Sequence, residues 1–398
     1  MANHNWTGSA PTRTQDESHV LASTAISDVI TATINNSSVA YTTASTDNTA
    51  EALALATALT ASDLKEFAEL TFTPVGATIG VVGAANGSPY TITITNAGTG
   101  TVTPTTDQVS MSPNHWAAEN FDSGSLPVST DSVFINVNVS ILYLLDHNAV
   151  DLALLTVGDN FTTASIGLPA INANGYPEYR EQRLAIGSAL FNIGLTDNAS
   201  ISGTIRLNCG TDATAFVAQS GIIDMLLNNV ASTVDVIGDS NVSIAPSPLD
   251  TSSFATLLAS GTSDCFIGTG VTVVTIQTQN TASITIDSNP TTINKDGTSK
   301  MIVRGSGTIT TLNVGIGTLD YRGTGIITTL NISGPGIFTM VNSLSTADAQ
   351  TININKSGTF RDPYGRRDSG STSFTVIGAS VDQVTIETPQ DVTVTVTY

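Results

Sequence analysis

The segment from Met111 to Phe134 gathers Asn114, His115, Trp116, Glu119, Asp122 and Asp131 within 24 positions. An imidazole, an amide and carboxylates are the groups that general acid–base chemistry uses. Trp116, Phe121, Pro113 and Pro127 in the same stretch are equally the makings of a structural plug. Two further clusters stand out. Residues 174–183 hold Tyr176, Tyr179, Arg180 and Arg183, and residues 361–368 hold Arg361, Tyr364, Arg366 and Arg367. Their five arginines are a large share of the 13 basic residues. Tyr and Arg dominate the energetics of protein contacts, so these loops are candidates for partner contact. Solvated turns closed by local salt bridges are the competing reading, and glycan binding is a third.

The background against which these clusters stand is polar and acidic. The chain has 398 residues and a formal charge of −20, from 33 acidic and 13 basic side chains. Up to residue 179 only Arg13 and Lys65 are basic. Such a surface repels nucleic acid and anionic lipid, so neither is an expected partner. Charged residues are 12%, about half the usual share. Abundant Val and Ile exclude a disordered chain. No run approaches the ~20 apolar residues of a membrane span. The first residues carry no basic and then apolar stretch, so the expectation is a protein made in a cytoplasm. Cys209 and Cys265 are expected as two buried free thiols.

The elements that must position the clusters are mainly strands. Residues 1–20 read as an arm with Trp6 as its docking residue. Residues 21–104 read as a small α+β anchoring module. Strands are predicted near 29–35, 39–43, 70–73, 77–82 and 90–95, with Asn86 and Gly87 turning between the last two. A helix is predicted with Asn48 as its cap and Glu51 three residues on as the reciprocal partner. Its expected buried face is Ala50, Leu53, Ala54, Ala58 and Leu59. Residues 105–135 read as a linker and cap, 136–380 as the body and 381–398 as a C-terminal strand segment.

Internal repetition decides the architecture of the body. The ten residues from Gly305 match those from Gly323 at an offset of 18, with seven identical. Thr351 follows Thr329 at an offset of 22, and Phe338 and Phe360 keep the same step. Thr275 and Ile276 match Thr311 and Leu312 at 36, twice 18. A repeat of this length built from short strands predicts one coil of a parallel β-solenoid, whose stacked coils share inner aliphatic positions and carry outer Thr and Asn ladders. Simple alternation puts Ile309, Thr311 and Asn313 on one face and Thr310, Leu312 and Val314 on the other. The fold class is therefore mainly β, a small α+β domain followed by a parallel β-solenoid. An open solenoid end needs a plug, and Trp116 with Phe121, Leu126 and Val128 supplies one.

The chemistry can now be weighed. Polysaccharide cleavage needs paired carboxylates in register. Asp264, Asp287, Asp296, Asp320 and Asp362 lie in the body, but Asp287 and Asp320 are 33 apart, out of step with the 18-residue coil. His4, His19, His115 and His147 lack metal-ligand spacing. No phosphate-binding glycine loop or nucleophile elbow is present. The expectation is no catalytic residue, no metal and no cofactor.

The spacing of Trp116, Asn120, Phe121, Gly124, Pro127, Asp131 and Val133 resembles the W-x(3–5)-NW-x-G-x-P-x(3)-D-x-V motif that precedes β-solenoid rungs in bacterial autotransporter-like and phage-encoded surface proteins. Phe121 stands where that motif has its second Trp. Thr31 to Asn35, Val39 to Tyr41, Asp47 to Ala50, and Gly83 to Gly87 with the strand from Tyr90 resemble small β-hairpin–helix–β modules of tailed-phage virion proteins. The two resemblances span about a quarter of the chain. They imply a non-enzymatic virion surface protein, as a capsid decoration or cement protein or as a tail fibre or spike binding host glycan. A polysaccharide-degrading enzyme is the remaining alternative. The expected partners are further copies in a homotrimer, the major capsid protein or other virion proteins, and host surface glycan.

Overall fold

The computed structural model describes residues 2–196, 201–344, 346–366, 373–389 and 393–397. It is 49% strand and 6% helix, with small N-terminal sheets followed by a parallel β-solenoid of about 13 turns.

The N-terminal module is built from two antiparallel sheets. One runs in the order Thr71–Val75, Thr78–Val82, Asp16–Ala22, Thr101–Gln108, and the other Ser37–Thr42, Val29–Ile34, Thr93–Asn96. Between them lies the helix α1, Asn48–Thr60, with Leu21, Ile30, Leu55, Leu59, Phe67, Ile79 and Val81 in one core. The start of α1 differs from the sequence expectation. Asp47 is the cap and accepts from Thr49 N at 3.0 Å, while Asn48 turns away to accept from Thr24. The buried face is Glu51, Ala52, Leu55, Ala56 and Leu59, and Leu53 is 57% exposed. An alanine-rich helix has little amphipathic contrast, so the sheet beneath it chooses the face. Glu51 is buried because its carboxylate accepts from Tyr41 Oη at 2.7 Å and Ser45 N at 2.6 Å. The turn at Gly87, φ +76°, also has a different role. It carries the chain from one sheet to the other, since Thr78–Val82 and Thr93–Asn96 do not pair.

The arm and the linker are structural elements. Asn3–Asn5 pairs in parallel with Ser132–Ile135, His4 beside Val133, and so forms part of the first coil. Asp16–Ala22 is an inner strand of the four-stranded sheet, and Thr101–Gln108 is its partner. Both stretches are too polar to read as strands alone, and only partners far along the chain make them so.

From Asp146 onward the strands climb in parallel. In the coils to Ile244, strands of 12 residues such as Ala215–Leu226 and Thr233–Ile244 run round a corner. The first bends between Ala218 and Ser220, where the register shifts, and Gly221 takes φ +109° beside it. Beyond Ser252 each coil divides into two strands. One ladder stacks Val271–Thr278, Thr292–Lys295, Ile309–Val314, Ile327–Ile332, Ala349–Asn355, Ser373–Ile377 and Thr393–Thr397. The other stacks Asp264–Ile267, Ser283–Ile286, Met301–Val303, Gly317–Tyr321, Gly336–Thr339, Thr359–Arg361 and Thr385–Glu387. Thr393–Thr397 thus forms a rung of the same solenoid.

The internal repeats fall in register. Leu312 pairs with Leu330, Thr329 with Thr351 and Phe338 with Phe360, and Thr275 reaches Thr311 through Thr292. Strict alternation fails in Ile309–Val314. Ile309, Leu312 and Val314 point inward, with Thr310 and Thr311 both outward. The N–H groups of Thr310 and Thr311 both donate to Thr291 O, so a bulge absorbs the extra residue. The expected outer ladder is present. Asn313 donates to Asn294, Asn331 to Asn313 and Asn353 to Asn331, at 2.7, 2.8 and 2.8 Å.

Candidate functional site

The Met111–Phe134 segment closes the solenoid. Trp6 stacks on Trp116 at 6.0 Å, and Phe121 meets both edge-on at 5.4 and 5.1 Å. All three are buried. Asn120 ties the plug, donating to Ser112 O and His115 O and accepting from Ala10 N. His115 is fully buried beside Ser112 Oγ at 2.8 Å, and burial pulls its pKa down to about 4. A neutral, sealed imidazole reaches no substrate, so this stretch is a plug. His4 stands between Ser123 Oγ at 2.7 Å and Asp131 Oδ2 at 3.1 Å, and Asp131 also accepts Ala2 N at 2.6 Å. The chain start is thereby clasped to the plug.

The first Tyr/Arg loop is engaged with its own chain. Tyr176 is buried and stacks on Tyr179 at 6.3 Å, and Tyr179 packs on the module core. Arg180 donates from Nε and Nη2 to Glu178 at 2.7 and 2.9 Å and from Nη1 to Pro89 O at 3.1 Å. Burial works against the Arg180 charge, and the Glu178 carboxylate more than offsets it, so the guanidinium pKa lies above its usual range. Lys65 donates to Gly175 O and Asn174 to Glu69, which closes the strap between module and solenoid. Arg183 reaches along the coils to Asp224 at 3.0 Å and Asp250 at 2.9 Å.

The second loop lies many coils away, and the two do not meet. Arg361 pairs with Glu387 at 2.7 Å, Arg366 N donates to Asp362, and Tyr364 is 64% exposed. Arg367 lies outside the described residues.

The five aspartates of the body do not assemble. Asp287 pairs with Arg304 at 2.7 Å. Asp320 is buried and accepts from Lys300, Arg322 and Asn342 at 2.6, 2.8 and 2.8 Å. Those contacts hold its carboxyl below the usual range against burial, which acts in the opposite direction. A pair the sequence did not suggest lies elsewhere. Asp151 and Asp212 sit together on an outer depression with Asn148, Asn208 and Thr211. Partial desolvation and hydrogen bonding to Asp212 raise the Asp151 pKa. The two are 61 positions apart, so no local spacing could have found them. Cys209 and Cys265 are buried free thiols, as expected, and burial pushes their pKa up. Among the described residues no group of three or more His, Cys, Asp or Glu could hold a metal ion. No helix among them is long and apolar enough to cross a membrane.

Two depressions flank Arg180 at the seam. A cleft of about 600 Å³ is lined by Lys65, Glu69, Asn86, Tyr143, Asn172 and Asn174, among others. A groove of about 620 Å³ is more apolar, with Trp116 behind the half-exposed Leu126 and Leu144. The cleft is the candidate functional site, because polar groups of the module and of the solenoid face one space. Residues from the α1-following loop, the 84–88 turn, the first coil and the strap meet there, and only the tertiary fold joins them. No protein family, no curated protein and no solved structure matches the chain.

Proposed function

We propose that this chain is a non-enzymatic structural protein of a tailed-phage virion surface, a stiff β-solenoid rod that meets host glycan as a tail fibre or spike does. The observation that carries the reading is the polar cleft, held at one end of the rod by the Tyr176–Arg180 strap. A role as head cement was expected to anchor through the arm around Trp6. Trp6 is 1% exposed and packs against Trp116 and Phe121 of its own chain, which favours the fibre reading over head cement. The solenoid interior supports a rod rather than a carrier, because Phe191, Phe216, Leu257, Ile276, Leu312, Phe338 and Phe360 fill it. Sealed His115, and body aspartates engaged by basic side chains, Asp287 by Arg304 and Asp320 by Lys300 and Arg322, support a non-enzymatic role.

Immunogold labelling of purified particles tests the location. Label on tail appendages is expected, and label on the head shell or on no particle defeats the fibre reading. Retention of the purified chain on host surface polysaccharide, without falling viscosity of that polysaccharide, tests binding against cleavage. Self-association as a homotrimer belongs to the same proposal, and light scattering on a sizing column measures it.

A further inference from the structure

We infer that the seam cleft takes a neutral oligosaccharide; this deepens the glycan-contact reading and rests on it. The argument starts from what each lining group has left to offer. Lys65 uses one N–H on Gly175 O at 3.2 Å, which leaves two ammonium donors. Asn86 turns its own loop by accepting from Ser88 N and Oγ at 3.0 and 2.7 Å, so its NH₂ remains. Asn174 donates to Glu69 Oε1 at 2.6 Å, which leaves the Asn174 amide oxygen as an acceptor, while the Glu69 carboxylate also meets the Tyr176 hydroxyl. Ser88 Oγ gives its proton to Asn86, so Tyr143 Oη donates to Ser88 Oγ at 2.8 Å and keeps its own lone pairs as acceptors. Donors and acceptors thus alternate around one space. Sugar hydroxyls, each donor and acceptor at once, match that alternation.

Charge and ring geometry narrow the class. Lys65 and Arg180 are balanced by Glu69 and Glu178, so the cleft is locally neutral within a chain of formal charge −20. An anionic ligand would meet the Glu69 carboxylate and the field of the whole chain. Lys65 is the sole lysine of the first 294 residues, and it stands here. A nucleobase or other flat aromatic needs an open ring face. Tyr143 has the Arg180 guanidinium over its ring at 5.8 Å and His115 tilted against it at 5.1 Å, so no stacking partner is offered on the Arg180 side. What remains is hydrogen bonding to a polyhydroxylated, uncharged ligand. The volume of about 600 Å³ lies within the range of ligand sites, about 300–1,000 Å³.

The test is saturation-transfer NMR on the intact chain with chitotriose, maltotriose and a β-galactotriose, and with tri-galacturonate as the charged comparator. Transfer to at least one neutral trisaccharide is expected. At least a tenfold weakening is expected in both Asn174→Ala and Lys65→Met. Those substitutions also touch the strap, so Asn86→Ala, on an exposed turn, is the variant that leaves the seam bonded, and it should weaken binding as well. Absence of transfer to all three neutral sugars overturns the inference. So does tighter binding of tri-galacturonate, or binding unchanged in Asn86→Ala. Particle labelling is independent of these results, so a virion fibre with a wrongly assigned cleft and a protein that is no virion part give different outcomes.

Discussion

From Val133 to Leu155, Phe191, Phe216 and Val234, the steps between stacked inner residues are 22, 36, 25 and 18. From Ile276 to Ile293, Leu312, Leu330, Ile352, Phe374 and Val394, they are 17, 19, 18, 22, 22 and 20. The uneven coils carry the plug, the strap and the module. The even coils carry the asparagine ladder and the ring stack of Tyr321, Phe338 and Phe360, at 6.0 and 5.5 Å. Extra residues in a coil are thus where the molecule attaches something, and regular coils are where it only propagates. Stability in the two regions should differ in kind: one cooperative block joined by long-range contacts, and one array of neighbour interactions.

The largest test compares Trp116→Ala with Phe338→Ala. Each should lose about 3–5 kcal/mol in chemical denaturation, because each leaves a large aromatic cavity. Hydrogen exchange separates them. Trp116→Ala should speed exchange in the module and the first coils together, and Phe338→Ala only in neighbouring coils. Equal spread in both variants would erase the distinction.

Next in size is pH. In the fold, burial holds His115 at a pKa of about 4, against about 6.5 when unfolded. Above that unfolded value both states are neutral and nothing changes. As pH falls from about 6.5 to 4 the unfolded chain takes up a proton that the fold refuses, so stability drops, on the order of 1–3 kcal/mol. His115→Gln should flatten that limb. The even coils hold the alkaline counterpart. Lys295 is buried, donates to Gly297 O and Ile316 O, and burial lowers its pKa to about 8. Unfolded lysine keeps its proton to about 10.4, so stability should rise between about pH 8 and 10 and be level in Lys295→Met. A flat alkaline limb in the unsubstituted chain would contradict the burial of this amine.

Smaller again is Asn331→Ala, which strands Asn313 Oδ1 and Asn353 Nδ2 on a half-buried ladder. About 1–2 kcal/mol is expected from the unmade bonds, and a thermal melt measures it. Smallest is Arg361→Ala. Arg361 and Glu387 are 47% and 43% exposed, and exposed pairs contribute about 0–1 kcal/mol, so the melting temperature should barely move.

What could be read without coordinates follows from these differences. The 18- and 22-residue steps were legible because a solenoid coil repeats its inner side chains at a spacing the chain itself displays. Trp116 and Phe121 were legible as a plug, since bulky aromatics are rare in this composition. The face of α1 was not, because alanine on every side leaves the choice to the sheet it meets. Nor were Asn3–Asn5 as a rung, with partners 129 residues away, or the bulge at Thr310, which depends on how the neighbouring coil accepts two N–H groups.

The residues that make the cleft show the limit most clearly. Tyr176, Tyr179, Arg180 and Arg183 were recognisable as contact residues by type, but type does not name the partner. Their contacts proved to be Pro89, Glu178, Asp224 and Asp250 of the same chain. By itself the sequence determined a parallel β-solenoid with a plugged end, because periodic burial is a local property of the chain. Only the tertiary structure decided that the module is strapped against the first coils and that Lys65, Glu69, Asn86 and Asn174 face one space. Bonds between residues more than a hundred positions apart, such as Lys65 to Gly175, leave no periodic trace in the chain that forms them.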